Sequence, residues 1–216
     1  FGYTVINRLK SNKIATGYDG RLTSPDLHKA LCEGLKDSGA KVINIGMGPT
    51  PMTYFAHYHL NADAAIMVTG SHNPSEYNGF KMVLNKHSFY AEDIQSLQKL
   101  IDQNDLKLIE GEIVNQDIKE DYNERLLQNI NLNKKIKIAW DIGNGAMGAV
   151  IKEITINLNN SDNILINEEV DGNFPNHHPD PTVPKNMEQL VKVVKDKNCD
   201  IGLAFDGDGD RLGVVD

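Results

Sequence analysis

Three aspartates alternate with glycines just before Arg211, directly after the apolar run Ile201–Phe205. Asp206, Asp208 and Asp210 can direct three carboxylates at one hard cation, because the intervening glycines let the backbone curl. Magnesium binds few protein carboxylates and keeps its other positions for water and phosphate oxygens. Three negative charges so close together are destabilising unless a cation neutralises them. We therefore predict a Mg²⁺ site here rather than a solvated acidic turn.

Two other chemistries compete for the same aspartates. An EF-hand calcium loop has Gly at its sixth position and Glu at its twelfth, whereas here the sixth is Arg211 and the twelfth lies beyond Asp216. A phosphatase of the haloacid-dehalogenase type would use Asp206 as nucleophile and Asp208 as acid or base. Such loops usually carry Thr or Val where Asp210 stands. The EF-hand is disfavoured, and the Asp-nucleophile phosphatase stays open as an alternative.

Ser71 is the candidate nucleophile. It follows the apolar run Ala64–Thr69, with Gly70 before it and Pro74 after it, which predicts a tight, exposed turn. A serine hydroxyl is a poor nucleophile without a base, a metal or prior phosphorylation. Lys81, ten positions later, can supply a cation or a proton to a phosphoryl group. For Ser71, the competing interpretation is a Ser/Asn turn whose side chains only satisfy its own backbone. For Lys81, it is a lysine on a strand that faces solvent.

The elements that must position these residues are short β-branched runs alternating with amphipathic stretches. This alternation is typical of βαβ units around a mostly parallel sheet. Ser24 and Thr50 are the predicted N-caps of the first two helices. Residues 104–116 are polar and poorly periodic, and they predict a domain boundary. The predicted strands are 13–18, 42–47, 64–69, 80–84, 135–141, 163–167 and 201–205, and the predicted helices begin at Pro25 and Pro51 or span 91–103, 118–128, 146–154 and 187–197.

The composition sets limits on partners and location. The 216 residues include 22 Lys+Arg and 30 Asp+Glu, a net charge of −8, which argues against a general binder of nucleic acid or anionic membranes. No apolar run approaches the roughly 18–20 residues of a membrane span. Cys32 and Cys199 are far apart, which fits a reducing compartment. We expect a cytoplasmic protein with no nucleic-acid or membrane partner.

Several other polar residues give weaker signals. His177 and His178 lie in a Pro-containing loop without the i,i+4 spacing of a metal site, so we expect them to line a domain interface. His57 and His59 are two residues apart on a predicted helix and therefore face different sides. Arg21, after the first predicted strand, is a possible neighbour of a bound phosphate.

Segments spread along the whole chain resemble the α-D-phosphohexomutase superfamily, in particular its bacterial phosphomannomutase/phosphoglucomutase branch. In chain order they read GYDGRLTSP, GMGPTP, TGSHNP, YNGFK, DGNFPNHHPDP and AFDGDGDR. The resemblance implies two consecutive α/β domains with mixed or parallel sheets. Domain I would cover residues 1–112 with its N-terminus truncated, and domain II residues 113–216 with its C-terminus truncated. The family's domains III and IV would be absent.

The resemblance also implies an activity, the interconversion of hexose 1-phosphate and hexose 6-phosphate through hexose 1,6-bisphosphate. Ser71 would carry the phosphoryl group, and Mg²⁺ would be held by Ser71, Asp206, Asp208 and Asp210. Lys81 would assist proton transfer or stabilise charge.

His72 would flank the reacting sugar oxygen, and Arg211 would sit beside the phosphoryl group. Without the family's sugar-binding domains, we expect this chain to bind Mg²⁺ but to turn over sugar phosphates poorly. A truncated remnant that folds without catalysing any reaction is the remaining alternative, and the sequence leaves the oligomeric state open.

Overall fold

Two β-sheets with flanking helices follow one another along the chain. The computed structural model describes residues 12–102 and 108–216. The strands are β1 Lys13–Tyr18, β2 Lys41–Met47, β3 Ala64–Val68, β4 Phe80–Leu84, β5 His87–Ser88, β6 Glu112–Asn115, β7 Ile136–Asp141, β8 Ser161–Ile166, β9 Ile201–Phe205 and β10 Leu212–Val215. The α-helices are α1 Ser24–Lys36, α2 Thr50–His59, α3 Glu92–Asp102, α4 Lys119–Leu127, α5 Ile151–Asn157 and α6 Glu188–Lys197.

The first sheet has the strand order β5-β4-β3-β1-β2-β6. β1 lies near its centre, parallel to β2 and β3, while β4 pairs antiparallel with β3 and β5 forms the edge beyond β4. Side chains alternate between the faces of a strand. Ile14 accordingly packs with Leu31 and Leu35 of α1, while Ala15 packs with Met52 of α2 on the other face.

The second sheet has the order β10-β9-β7-β8, with β7 parallel to β8 and β9 and β10 antiparallel to β9. α6 covers one face, where Leu190 and Val194 are buried against Ala139. The other face, which includes Trp140 and Ile142, shares one hydrophobic cluster with α2 and β2 of the first sheet. The two sheets are therefore joined by a common core.

The α/β class with mixed sheets is confirmed, and several local predictions are wrong. Ser24 and Thr50 do not cap their helices: neither helix has a side-chain cap, and both hydroxyls are used by buried aspartates instead. β6, which pairs in parallel with β2, was not predicted, because its short, largely exposed edge has no buried face to create a pattern. Residues 103–107 of the predicted boundary stretch lie outside the described part.

The predicted helix 146–154 is in fact two pieces. Ala146–Ala149 is a 3₁₀ turn and α5 begins only at Ile151. Gly148 lies so close to the carbonyl of Glu168 that a Cβ there would come within 2.3 Å of its oxygen, so the first turn is packed tightly against the chain that follows β8. β8 itself begins at Ser161, two residues earlier than predicted.

Within residues 12–102 and 108–216, no helix combines the length and apolarity needed to cross a bilayer.

Candidate active site

Two reactive loops meet at the carboxyl ends of their strands. The serine loop is residues 69–79, between β3 and β4, and the aspartate loop is residues 206–211, between β9 and β10. Ser71 lies three residues beyond β3, and Asp206 directly follows β9. The Ser71 hydroxyl donates to Asp206 Oδ2 at 3.2 Å, although 135 positions separate the two residues. Open α/β sheets bind their ligands at this end of the strands.

The three aspartates form a compact carboxylate cluster, with ligand atoms within 4.8 Å of one another; it is the one such metal-ligand group in the described residues. Asp206 and Asp208 are fully buried and Asp210 is exposed. Asp206 Oδ1 accepts the backbone N–H groups of Asp210 and Arg211, each at 3.0 Å. These bonds fix the curl of the loop that the glycines allow.

Asp208 presents one satisfied and one unsatisfied oxygen. Its Oδ2 accepts from the Thr50 hydroxyl and from Lys81 Nζ, the latter at 2.7 Å. Its Oδ1 is buried and has no hydrogen-bond partner among the described residues. A buried carboxylate oxygen without a donor costs free energy, so this arrangement fits a cation as the missing partner.

The pKa values of the two buried aspartates, Asp206 and Asp208, shift in opposite directions. Burial, reinforced by the negative charge of Asp208, raises the pKa of Asp206 to about 7. Burial would also raise the pKa of Asp208, but the charge and hydrogen bond of Lys81 and the hydroxyl of Thr50 outweigh it and hold that pKa below its usual value. The cluster therefore carries unneutralised negative charge that a hard divalent cation would offset.

Lys81 bridges the two loops from β4. Its Nζ lies 2.7 Å from Asp208 Oδ2, 2.6 Å from Asp210 Oδ2 and 3.3 Å from Ser71 Oγ. Burial alone would lower the pKa of Lys81, but the two carboxylates outweigh burial and raise it above the ordinary value. Lys81 is thus an ammonium that can stabilise negative charge or give a proton to Ser71 Oγ.

The backbone at Ser71 is strained. Its φ of +52° is in the left-handed region, which non-glycine residues seldom adopt. The Thr69 hydroxyl accepts the Ser71 N–H at 2.8 Å. Gly70 cannot carry a side chain, because a Cβ would lie 2.5 Å from both the Arg21 guanidinium carbon and the Tyr77 carbonyl oxygen.

Arg21 is hydrogen-bonded to the backbone of this loop and stabilises its conformation. Its two Nη atoms donate to four loop carbonyls at 2.6–3.0 Å, those of Ser71, Asn73, Pro74 and Tyr77. Its Nε donates to Asp19 Oδ2 at 3.2 Å. All five N–H donors of the fully buried guanidinium are therefore occupied by protein acceptors, and the proximity of Arg21 to a bound phosphate stays a prediction.

Asp19 is a site residue that the sequence prediction missed. It follows β1 and accepts hydrogen bonds from the Thr69 hydroxyl at 2.7 Å and from the Gly70 N–H at 3.3 Å, besides its ion pair with Arg21. The available signal was its place at the end of a predicted strand, two residues before an arginine. Asp19 and Arg21 together fix the backbone that presents Ser71.

The loop over residues 171–181 lies across both reactive loops. The ring of Phe174 stacks on Arg21, with the guanidinium carbon 5.3 Å from the ring centroid. His178 Nε2 donates to the His72 carbonyl at 2.6 Å. Pro179 accepts the Gly207 N–H at 3.2 Å. A second-domain loop therefore buttresses the serine loop and the aspartate loop together.

Two of the other histidines, His59 and His177, pair with aspartates outside the carboxylate cluster. His177 donates to Asp141 Oδ2 at 2.9 Å and to the His178 carbonyl, and the bond to Asp141 raises the pKa of His177. His59 pairs with Asp121 at 3.3 Å, while His57 is buried on another side of α2. None of these histidines belongs to the metal-ligand group found in the described residues.

His72 and Arg211 pair with each other at the mouth of the site. Arg211 Nη1 donates to His72 Nδ1. Because Nδ1 is then the acceptor, the ring proton of neutral His72 is on Nε2. Within the described residues, Ser71 Oγ has hydrogen bonds to Asp206 and Lys81 and none to this pair.

Comparison with known proteins gives a consistent result across the chain. The protein-family model described as "Phosphoglucomutase/phosphomannomutase, alpha/beta/alpha domain I" matches residues 1–107. The corresponding family model for domain II matches residues 120–216. A phosphomannomutase/phosphoglucomutase of Pseudomonas putida is 45% identical over 203 residues, covering 94% of this chain and 44% of the relative. One from Pseudomonas aeruginosa is 46% identical over 202 residues, covering 94% of this chain and 43% of the relative.

A crystal structure of a phosphoglucomutase/phosphomannomutase family protein from Burkholderia thailandensis superposes with a TM-score of 0.92 at 39% identity. The match covers 99% of this chain and 48% of that one. The chain thus spans less than half the length of these relatives. The two family models match in the order domain I then domain II. The chain belongs to the phosphoglucomutase/phosphomannomutase family.

Proposed function

We propose that this chain carries the phosphoryl-transfer machinery of a phosphohexomutase, with Ser71 as the phosphoryl carrier. The observation that carries the proposal is the position of Ser71 Oγ, which lies 3.2 Å from the Asp206 carboxylate and 3.3 Å from the Lys81 ammonium. The names of the relatives, phosphomannomutase/phosphoglucomutase, support mannose and glucose phosphates as the ligands. The resemblance to the superfamily specifies hexose 1-phosphate, hexose 6-phosphate and hexose 1,6-bisphosphate.

We assign Mg²⁺ as the cofactor. Ser71, Asp206, Asp208 and Asp210 would hold it, and the unpartnered Oδ1 of Asp208 supports this assignment. When bound, Mg²⁺ would neutralise charge on the transferring phosphoryl oxygens. The acidic net charge of the chain makes such local neutralisation necessary, because the ligand is itself an anion.

Lys81 would move the proton. When the phosphoryl group passes from Ser71 to a sugar hydroxyl, the bond from phosphorus to Oγ breaks and a bond from phosphorus to the sugar oxygen forms. Lys81 Nζ, 3.3 Å from Oγ, gives its proton to the departing serine oxygen and recovers one from the attacking hydroxyl. The net result is one proton transferred from sugar to serine.

His72 and Arg211 would contact the substrate. Their pairing leaves the Nε2–H of His72 as a donor for a sugar oxygen, and the Arg211 guanidinium would lie beside the phosphoryl group. The site is partly closed, since Ser71 is only 8% exposed. Such closure protects a phosphoserine from water.

The Asp-nucleophile phosphatase is the less favoured alternative. Asp206 would have to attack phosphorus, but its Oδ1 already accepts two backbone N–H groups and its Oδ2 accepts the Ser71 hydroxyl. An oxygen so engaged is a weaker nucleophile. A folded remnant without chemistry is the other alternative, and it predicts no phosphorylated residue.

The test is to incubate the 216-residue chain with hexose 1,6-bisphosphate and Mg²⁺ and to map phosphate adducts by mass spectrometry. We expect one adduct on Ser71, absent in Ser71→Ala and retained in Ser75→Ala, which removes an exposed serine of the same loop. The adduct should resist hydroxylamine, because phosphoserine is an ester and not an acyl phosphate. A hydroxylamine-sensitive adduct on Asp206 would favour the phosphatase, and absence of any adduct would favour the remnant.

A further inference from the structure

The Thr50 hydroxyl serves the aspartate loop and not its own helix. Thr50 is the first residue of α2, after Pro49, and α2 has no side-chain cap. The hydroxyl donates to Asp208 Oδ2, and the Thr50 backbone N–H donates to the Asp208 carbonyl at 2.8 Å. Both residues are 0% exposed. Thr50 therefore binds Asp208 through two hydrogen bonds, one from its side chain and one from its backbone.

The hydrogen bond from the Thr50 hydroxyl determines which carboxylate oxygen of Asp208 has no hydrogen-bond partner. Oδ2 is saturated by the Thr50 hydroxyl and the Lys81 ammonium, whereas Oδ1 is buried with no partner in the described residues. Without the hydroxyl, Oδ2 would keep Lys81 alone, and the carboxylate could turn about its χ2 torsion. The free oxygen would then no longer be held in one place.

The backbone of the loop is confined on the same side. Gly209 has a φ of +73°, and a Cβ there would lie 2.6 Å from the Met147 side chain and 3.1 Å from Pro49 Cβ. Thr50 is thus hydrogen-bonded to Asp208, and Pro49 leaves no room for a side chain at the next residue, Gly209. The start of α2 fixes both the distance and the orientation of Asp208.

We propose that Thr50 is a positioning residue for the metal site, orienting Asp208 so that Oδ1 faces the cation. The proposal rests on the Mg²⁺ site proposed above and adds a residue that is not itself a ligand. Loss of hydrogen-bond partners that orient metal ligands typically lowers metal affinity about 10–100-fold.

The experiment is Mg²⁺ titration calorimetry on the 216-residue chain and three variants. Thr50→Val keeps the shape of the side chain but removes the hydroxyl, and Thr50→Ser keeps the hydroxyl. Thr53→Val is the matched control, because Thr53 is one turn further along α2, 1% exposed, and bonded to the Met67 sulfur instead. We expect Thr50→Val to bind Mg²⁺ about 10-fold more weakly, with Thr50→Ser and Thr53→Val within about twofold of the parent chain.

Each outcome has a distinct meaning. Equal Mg²⁺ affinity in the parent chain and Thr50→Val overturns the role of Thr50 but leaves the Mg²⁺ site standing. Equal weakening in Thr53→Val, or no rescue by Thr50→Ser, overturns it as well, because the effect would then be one of packing. No saturable binding by the parent chain overturns the Mg²⁺ site together with Thr50. If Thr50→Val does not fold by circular dichroism, Thr50→Ala takes its place with the same tenfold threshold.

Discussion

Arg21 shows how one buried side chain can shape a reactive loop. It satisfies four backbone carbonyls of the serine loop at once, and Asp19 balances its charge. A lysine has only three donors on a single atom and cannot span those carbonyls. The planar guanidinium is therefore required for its geometry as well as for its charge.

Replacing Arg21 by Lys should destabilise the protein by about 1–3 kcal/mol, because the buried Ser71 carbonyl and partly buried neighbouring carbonyls would lose donors. Urea denaturation followed by circular dichroism measures this change. The same variant should accept less phosphate on Ser71 from hexose 1,6-bisphosphate, since the strained backbone at Ser71 would relax.

Arg125→Lys is the matched control, because Arg125 is an exposed arginine on α4. It should stay within about 0.5 kcal/mol of the parent chain. An Arg21→Lys protein as stable as this control would mean that the carbonyl contacts of Arg21 contribute little.

At the residue scale, the sequence indicates which two loops come together better than it indicates the residues that support them. Ser71 and the aspartates stand out because their spacing is unusual for a loop without chemistry. Thr50 looks like a helix cap because local sequence cannot reveal an acceptor 158 positions away. Its actual partner becomes visible only when both domains are folded.

Among the elements, α1 carries a buried polar group on the face that packs against β1. His28 is 4% exposed, and its Nε2 lies 3.0 Å from the Thr16 hydroxyl and 3.5 Å from Cys32 Sγ. Burial lowers the pKa of His28 from 6.5 to about 4. The helix is therefore docked through a histidine that must remain neutral.

Acid should loosen this docking. Between pH 6.5 and about 4, His28 is protonated in the unfolded chain but stays neutral in the folded chain. The free energy of unfolding therefore falls as the pH falls. From pH 7 to pH 5 we expect His28 to contribute a loss of about 2 kcal/mol. Urea denaturation at the two pH values measures it.

His28→Gln should lose less stability than the parent chain over this range, because its amide does not titrate. His87→Gln, on the exposed strand β5, serves as the control and should keep the full pH response. Identical pH profiles for the parent chain and His28→Gln would show that α1 stays docked when His28 is protonated.

Prediction of the elements succeeded where a buried face creates a pattern. β3 is buried throughout and follows directly from its apolar residues. β6 contributes little to the core and is held by backbone pairing with β2 and by an ion pair from Lys41 to Glu112 at 2.7 Å. An edge strand defined by its neighbour leaves little trace in its own residues.

At the scale of the whole molecule, one hydrophobic cluster among the described residues contains side chains from both sheets and joins them. It contains Met52 and Ala56 from α2 together with Trp140, Ile142 and Ile151 from the second sheet and its helix. A core that belongs to both domains couples their stabilities. The two domains should unfold together and not as independent units.

Met52→Ala should reveal this coupling, because Met52 is fully buried in the shared cluster on the first-domain side. We expect a loss of about 2–5 kcal/mol. The only tryptophan, Trp140, reports on the second sheet. Its fluorescence transition in urea should shift as far as the circular dichroism transition of the whole chain.

Ile156→Ala is the control, since Ile156 is 80% exposed, and should leave both transitions in place. If Met52→Ala moved the circular dichroism transition while the fluorescence transition stayed fixed, the shared cluster would not couple the domains. The fold class is predictable from the alternation of strands and helices, but this coupling is not, because each sheet looks self-sufficient in sequence.

The 135 positions between Ser71 and Asp206 also separate them in time during synthesis. A ribosome adding roughly 5–20 residues per second needs about 7–27 s to travel from one to the other. For that interval the nascent chain holds a serine loop without its carboxylates. On the function proposed above, phosphorylation of Ser71 within its own site would have to wait until the second domain has left the ribosome, so the time since synthesis would set the earliest moment at which a molecule can carry phosphate.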